Sequence, residues 1–235
     1  ALGTKATTGP TSGDKYTHTF TLAAALPTGL TLEHIRGTGA NSEIFEGCKF
    51  DNFTFRVATS PGVAFLDFDV IAETAAARAS KGTPTYATAT FIQHHHQSSQ
   101  LNFNSVTYDL TDMSIRLTNS LERRYFLGSK LTQEPSRSDF QAVELEVTVE
   151  STDAAYAALL AGTQGDVILP TFTDPDNAKN TLSGRIQNAY LVEAADPVES
   201  AGRIMQTLRF VGESDGTDKG LSLILTNQNS TGEAN

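Results

Sequence analysis

Two aspartates, Asp67 and Asp69, stand two residues apart in "VAFLDFDVIA". In an extended chain that spacing puts both carboxylates on one face. A carboxylate pair of this kind can do acid–base work, as in glycosidases. Glu144, Glu146 and Glu150 in "FQAVELEVTVEST" form a second acidic face at the same period. His94, His95 and His96 are adjacent in "QHHHQSSQ". Neighbours on a strand point to opposite sides, so at most two of them could share a metal, and no Cys or acidic ligand stands nearby. Cys48 is the single cysteine. A reactive thiolate needs an electropositive setting, which the residues around Cys48 do not supply, so a structural cysteine is expected. Phosphate loops, dinucleotide fingerprints, serine elbows and HExxH are absent. The bland reading of both acidic faces is a solvated strand surface. No enzyme activity, cofactor or metal site is expected.

Composition narrows the classes further. The chain has 235 residues, 19% of them charged, and a formal net charge of −10. Tight nucleic-acid binding needs clustered Lys and Arg, and this chain lacks that surplus. One cysteine excludes an internal disulfide. No apolar run reaches the length of a bilayer span, and the first residues carry no signal-peptide core. The expectation is a soluble protein made in a reducing compartment, without membrane contact.

The elements that must hold these residues are strands. "YTHTFTLA" alternates, and "PTGLTLEHIRG" is a Pro-Gly turn followed by a short strand. In "KFDNFTFRVAT", Phe53, Phe55 and Val57 oppose Thr54 and Arg56, and Phe50 is out of phase. A β-bulge is therefore expected at Asp51–Asn52. Pro61–Gly62 turns the chain into a partner strand with Leu66, Phe68 and Val70 on one face and Phe65, Asp67 and Asp69 on the other. "SVTYDLTDMSIRLTN", "DVILPTFTD", "SGRIQNAYLVEA" and "GRIMQTLRFVGES" also read as strands. The cleanest is "FQAVELEVTVEST", with four apolar residues from Val143 to Val149 on one face. The first fifteen residues are expected to be loose, and Glu73–Gly82 to be a helical turn or a long loop. A helix is expected over about 152–161: Ser151 or Thr152 caps it, and Gly162 stops it.

"GCKFDNFTFRVA…VAFLDFDVIAET" and "SGRIQNAYLVEA…GRIMQTLRFVGES" also resemble one another. The alignment puts Phe50 on Ile186, Asn52 on Asn188, Phe68 on Leu208, Val70 on Phe210 and Glu73 on Glu213. Asp67 and Asp69 then fall on Thr207 and Arg209, which argues against a catalytic pair. The repeat makes the chain two tandem β modules, 1–128 and 140–235, joined by a linker over 129–139.

"YTHTFTLAAALPTGLTLEH", "IFEGCKFDNFTFRVATSPGVAFLDFDVIAET" and "LTNSLERRYFLGSKLTQEPSRSDFQAVELEVTVESTDAAYAALLAGT" together resemble the tail tube proteins of long-tailed, non-contractile bacteriophages. The N-terminus looks short for that family. The resemblance implies a mainly β fold of sandwich or half-barrel modules with one flanking helix, and a structural virion protein of the phage tail. Its chains would join as rings, here trimers with pseudo-sixfold symmetry, and the rings would stack into a hollow tube through which DNA is ejected. The implied partners are the chain itself, the tape measure, the tail terminator and the baseplate or tip proteins. DNA would be in transit without tight binding, and assembly would take place in the bacterial cytoplasm. On this reading Asp67, Asp69, Glu144, Glu146 and Glu150 are candidates for an acidic lumen that repels phosphate. Glu73, Arg78, Lys81, His94, His95, His96, Arg123, Arg124, Lys130 and Arg137 are candidates for contacts between subunits or rings. The alternatives are another virion β-module, such as a tail terminator or capsid decoration protein, or a carbohydrate-binding module or glycosidase using Asp67 and Asp69.

Overall fold

Alternation of apolar and polar side chains organises this chain, because each strand hides one face and wets the other. The computed structural model describes residues 3–11, 15–23, 25–36, 41–59, 64–78, 100–128, 133–150, 162, 164–174, 177–195, 204–213 and 220–228. In chain order its strands are β1 Gly3–Thr11, β2 Lys15–Leu22, β3 Leu30–Arg36, β4 Asn41–Ala58, β5 Ala64–Ile71, β6 Thr74–Arg78, β7 Gln100–Phe103 and β8 Val106–Thr118. They continue as β9 Leu121–Arg124, β10 Gln133–Arg137, β11 Ala142–Glu150, β12 Gln164–Ile168, β13 Phe172–Thr173, β14 Thr181–Ala195, β15 Met205–Gly212 and β16 Leu221–Asn227. β9 and β10 pair with each other; the rest belong to one 14-stranded sheet. The helix expected over 152–161 lies outside the described residues.

The sheet closes on itself. β7 pairs β8, β8 pairs β11, β11 pairs β15, β15 pairs β14, β14 pairs β12, and β12 returns to β7, every pair antiparallel. Along the paired residues, closure leaves these strands without an exposed edge. The interior holds the best-buried side chains: Leu101, Phe103, Leu145, Val149, Val167, Ile186, Leu208 and Phe210 are fully buried. Phe103 and Phe210 cross it edge to face, with ring centroids 5.0 Å apart. β7 turns into β8 through Asn104 and Ser105, both at positive φ, as a two-residue hairpin loop with right-handed strand twist requires.

Two wings leave this barrel. On one side β8 carries β4, and β4 carries β5. On the other, β14 carries β16, then β2 and β1. The wings face each other as a sandwich. Phe55 of β4 meets Phe172 of β13 edge to face at 5.9 Å. An apolar gap of ≈ 280 Å³ remains between Phe53, Phe55 and Leu66 on one wing and Leu182, Gly184 and Leu223 on the other.

Several expectations change. The loose N-terminus is a strand: β1 pairs β2 from Gly3↔Leu22 to Thr11↔Lys15, and its threonines suit an extended backbone. Within Glu73–Gly82, the described part is neither helix nor loop. Thr74–Arg78 pairs β4 from Glu46↔Thr74 to Ser42↔Arg78, so sheet pairing overrides the helical preference of three alanines. Within the expected linker, the described part includes β10, which pairs back onto β9, and β8 and β11 lie side by side. The bulge at Asp51–Asn52 is present, between Phe50↔Val70 and Asn52↔Asp69. It is tied down from outside the hairpin. Asp51 Oδ1 accepts from the Leu121 amide at 2.7 Å. The Asp51 carbonyl accepts from the Asn119 amide at 2.7 Å, and Asn119 Nδ2 donates to the Phe50 carbonyl at 2.9 Å.

The internal repeat is larger than one hairpin, and its first strand is in a different phase from the sequence alignment. Copy one is β3–β4–β5–β6 and copy two is β12–β14–β15–β16. Leu30↔Cys48 and Leu32↔Phe45 match Gly165↔Ala189 and Val167↔Ile186, with a register shift inside each pair. Phe50↔Val70 and Asn52↔Asp69 match Leu191↔Phe210 and Glu193↔Arg209, again with a shift inside each. Gly47 and Asn188 both have positive φ at corresponding points. The partner of Phe50 is therefore Leu191, not Ile186, and that of Gly47, not Asn52, is Asn188. Matching Asn to Asn by type misled the alignment; Gly and Asn are the two residues that most readily take the left-handed conformation. The second strand keeps its aligned phase, with Val70 on Phe210 and Asp69 on Arg209.

Candidate functional site: a charged sheet face

Side chains opposite each other in an antiparallel sheet share a face, so register decides which charges meet. Across β5, β4, β8, β11 and β15, one row runs Asp67, Thr54, Arg116, Glu144, Val211. The next runs Phe65, Arg56, Ser114, Glu146, Arg209, and β14 adds Glu193. Asp69 lies opposite Asn52, and Asp112 opposite Ala58 and Thr148. Glu150 follows Glu144 and Glu146 on the same side of β11, opposite Met205. The two acidic faces read from the sequence are thus one surface. Behind it lie Phe53, Phe55, Met113, Ile115, Leu145, Val147 and Leu208, so the buried core dictates which way the charges point.

The surface is acidic but laced with arginine, which sequence reasoning missed. Arg56 pairs with Asp67, and Arg209 with Glu144 at 3.1 Å. Asn52 Nδ2 donates to Asp69 Oδ2 at 3.1 Å. These pairs are well exposed, where ion pairs contribute at most about 1 kcal/mol each. The arginines were readable as alternation on β4, β8 and β15, but which carboxylate each meets depends on long-range register.

As catalytic apparatus the face is poor. The Asp67 carboxylate is taken by Arg56 and that of Asp69 by Asn52, and both lie on an open sheet rather than in a cleft. Cys48 is buried, its Sγ lies 3.3 Å from the Phe45 carbonyl, and burial pushes the thiol's pKa up. Among the described residues no three His, Cys, Asp or Glu side chains converge as a metal site would require. His94, His95, His96, Lys81 and Lys130 lie outside those residues. Arg123 and Arg124 are exposed on β9. Arg137 on β10 is half-buried, its guanidinium pKa lowered by burial, with Nη2 donating to Asn119 Oδ1 at 3.5 Å. Glu73 is half-buried beside Gly47, and its amide donates to the Glu46 carbonyl at 3.0 Å. Arg78 ends β6. Among the described contact candidates, Arg123 and Arg124 on β9 lie beside Arg137 because β9 pairs β10, and Glu134 of β10 pairs with Lys49 at 3.2 Å.

A charged, open face on a closed β framework suits a structural surface better than a reaction centre. The family model for phage tail tube proteins matches residues 1–212. The chain belongs to the phage tail tube protein family. Comparison with curated proteins finds no match. A tail tube protein is a structural component of the virion and assembles with copies of itself into a tube. No helix among the described residues of this tail tube protein is long and apolar enough to cross a membrane.

Proposed function

We propose that the chain forms rings that stack into the tube of a long non-contractile tail, and that the charged face of β5–β4–β8–β11–β15 lines its channel. The supporting observation is register: Asp67, Asp69, Glu144, Glu146 and Glu150 share one face, backed by the core. DNA carries about one negative charge per 1.7 Å of helix axis. A wall with excess carboxylates repels it and holds it nowhere; the interspersed arginines keep the wall from repelling itself. Screening limits the repulsion to a Debye length of about 8 Å at physiological salt, so only charges on the wall itself matter.

The two copies of β3–β6 and β12–β16 favour two modules per chain, and three chains per ring with pseudo-sixfold symmetry. Ring stacking is head to tail and open-ended. The segments around Glu73, Arg78, Lys81, His94–His96, Arg123, Arg124, Lys130 and Arg137 serve contacts between subunits and rings. Tape measure, tail terminator and tip proteins meet the tube along its bore and at its ends. Assembly takes place in the bacterial cytoplasm.

The test is charge reversal away from the ion pairs. Phage carrying Asp69→Lys and Glu146→Lys should build tails of normal length by electron microscopy and eject DNA more slowly. Normal ejection from such tails would remove the lumen assignment. Failure to build tails would place the face in a contact.

A further inference from the structure

Each copy of the repeat is preceded in the chain by an antiparallel strand pair: β1–β2 before β3–β6, and β8 with β11 before β12–β16. The second pair has a clear role. β11 covers the outer edge of β15, in the copy that follows it, and β8 covers β4, in the copy before it. The matching edges are open among the described residues. β5 pairs only β4, and its Phe65, Leu66 and Phe68 are about half exposed, at 49%, 52% and 51%. On the side of β14 away from β15, pairing with β12 stops at Tyr190, and Val192 beyond it is 55% exposed. An apolar, unpaired edge strand invites another strand.

The β1–β2 pair is the piece left over. It rests on β16, where His18 Nε2 lies 3.1 Å from Asn227 Oδ1 and Thr7 Oγ1 lies 2.9 Å from His18 Nδ1. The outer strand β1 is exposed from Gly3 to Pro10. Gly3, Lys5 and Phe20 already border the cleft that holds Phe50, Leu66 and Phe68. We propose that in the assembled ring the β1–β2 hairpin leaves β16 and fills the seam between chains, with β2 along β5 of its own chain and β1 along Leu191–Ala195 of a second copy. The seam between chains then repeats the β8–β11 junction within each chain. This rests on the tube reading, and it names the strands that close the ring.

The test locks the hairpin where it is. In a Cys48→Ser background, Thr17→Cys with Thr226→Cys places thiols at register partners on β2 and β16. Wild-type protein is imaged first; if it forms no rings or tubes, the tube reading fails and the inference with it. If wild type assembles, the oxidised lock should stay folded by circular dichroism, remain unassembled, and assemble on reduction. An oxidised lock that assembles as the wild type does overturns the inference and leaves the tube reading standing. Independently, Thr8→Cys and Val192→Cys in one chain, in the same background, should give disulfide-linked chains after oxidation of assembled rings. If neither this pair nor its neighbours along β1 and β14 link chains, the inference is overturned even where the locked variant does not fold.

Discussion

At the scale of single residues, Cys48 and Asp51 are tied into the fold. Cys48 is 2% exposed with a raised thiol pKa. It should resist iodoacetamide in the native protein and react fully in urea, as mass spectrometry can show; native labelling would contradict its burial. Asp51 receives two backbone amides, one on its side chain and one on its carbonyl. Asp51→Ala leaves the Leu121 amide without its acceptor and should cost about 1–3 kcal/mol in urea melts. Thr54→Ala, on the open face, should change stability by less than about 0.5 kcal/mol. Gly47 has φ 63° and would place a Cβ 2.7 Å from that of Glu73. Gly47→Ala should therefore destabilise by at least about 1 kcal/mol, whereas Asn188→Gly, at the matching left-handed position, should be nearly neutral. Which carboxylates share a face was legible from the period-two pattern. That Asp67 and Glu144 are bound by Arg56 and Arg209 was not, because those partners are 11 and 65 residues away in the chain.

At the scale of elements, strands with strict alternation were legible, and β11 matches its expected faces throughout. The missed strands lack that signal. β6 is alanine-rich, and β1 holds no large apolar residue. β16 reads "LSLILTN" and is buried at both ends but only partly so in between. β7 is four residues long. β6 and β16 are placed by pairing with strands far away in the chain, and β1 and β7 by hairpins with the strand that follows each; a local period encodes neither. The closed barrel should be the last part to open. Phe210→Ala, fully buried inside it, should cost about 3–5 kcal/mol. Phe68→Ala, half exposed on β5, should cost the isolated chain far less and weaken assembly instead. Parallel urea melts and ring counts from electron micrographs would separate the two effects. Amide exchange should be slowest in β11 and β15 and faster in β1.

At the scale of the whole molecule, β8 pairs β4 of one copy and β11 pairs β15 of the other, so the β8–β11 pairing joins the two halves of the chain. If the charged face repels DNA, the ejection defect of Asp69→Lys with Glu146→Lys should shrink as salt rises, because screening shortens the reach of every charge involved. An effect insensitive to ionic strength would point to altered shape instead. The copies have also diverged where they face the same way. Asp67 and Asp69 in one stand where Thr207 and Arg209 stand in the other. A homogeneous sixfold wall, made from one module used six times, must repeat every charge at every position around its circumference. On the proposed ring, two modules in one chain would relax that constraint: acid and base would alternate from one sector to the next at the same height. DNA passing such a wall would meet a striped potential instead of a uniform one, and the stripes could be retuned in one copy without touching the other.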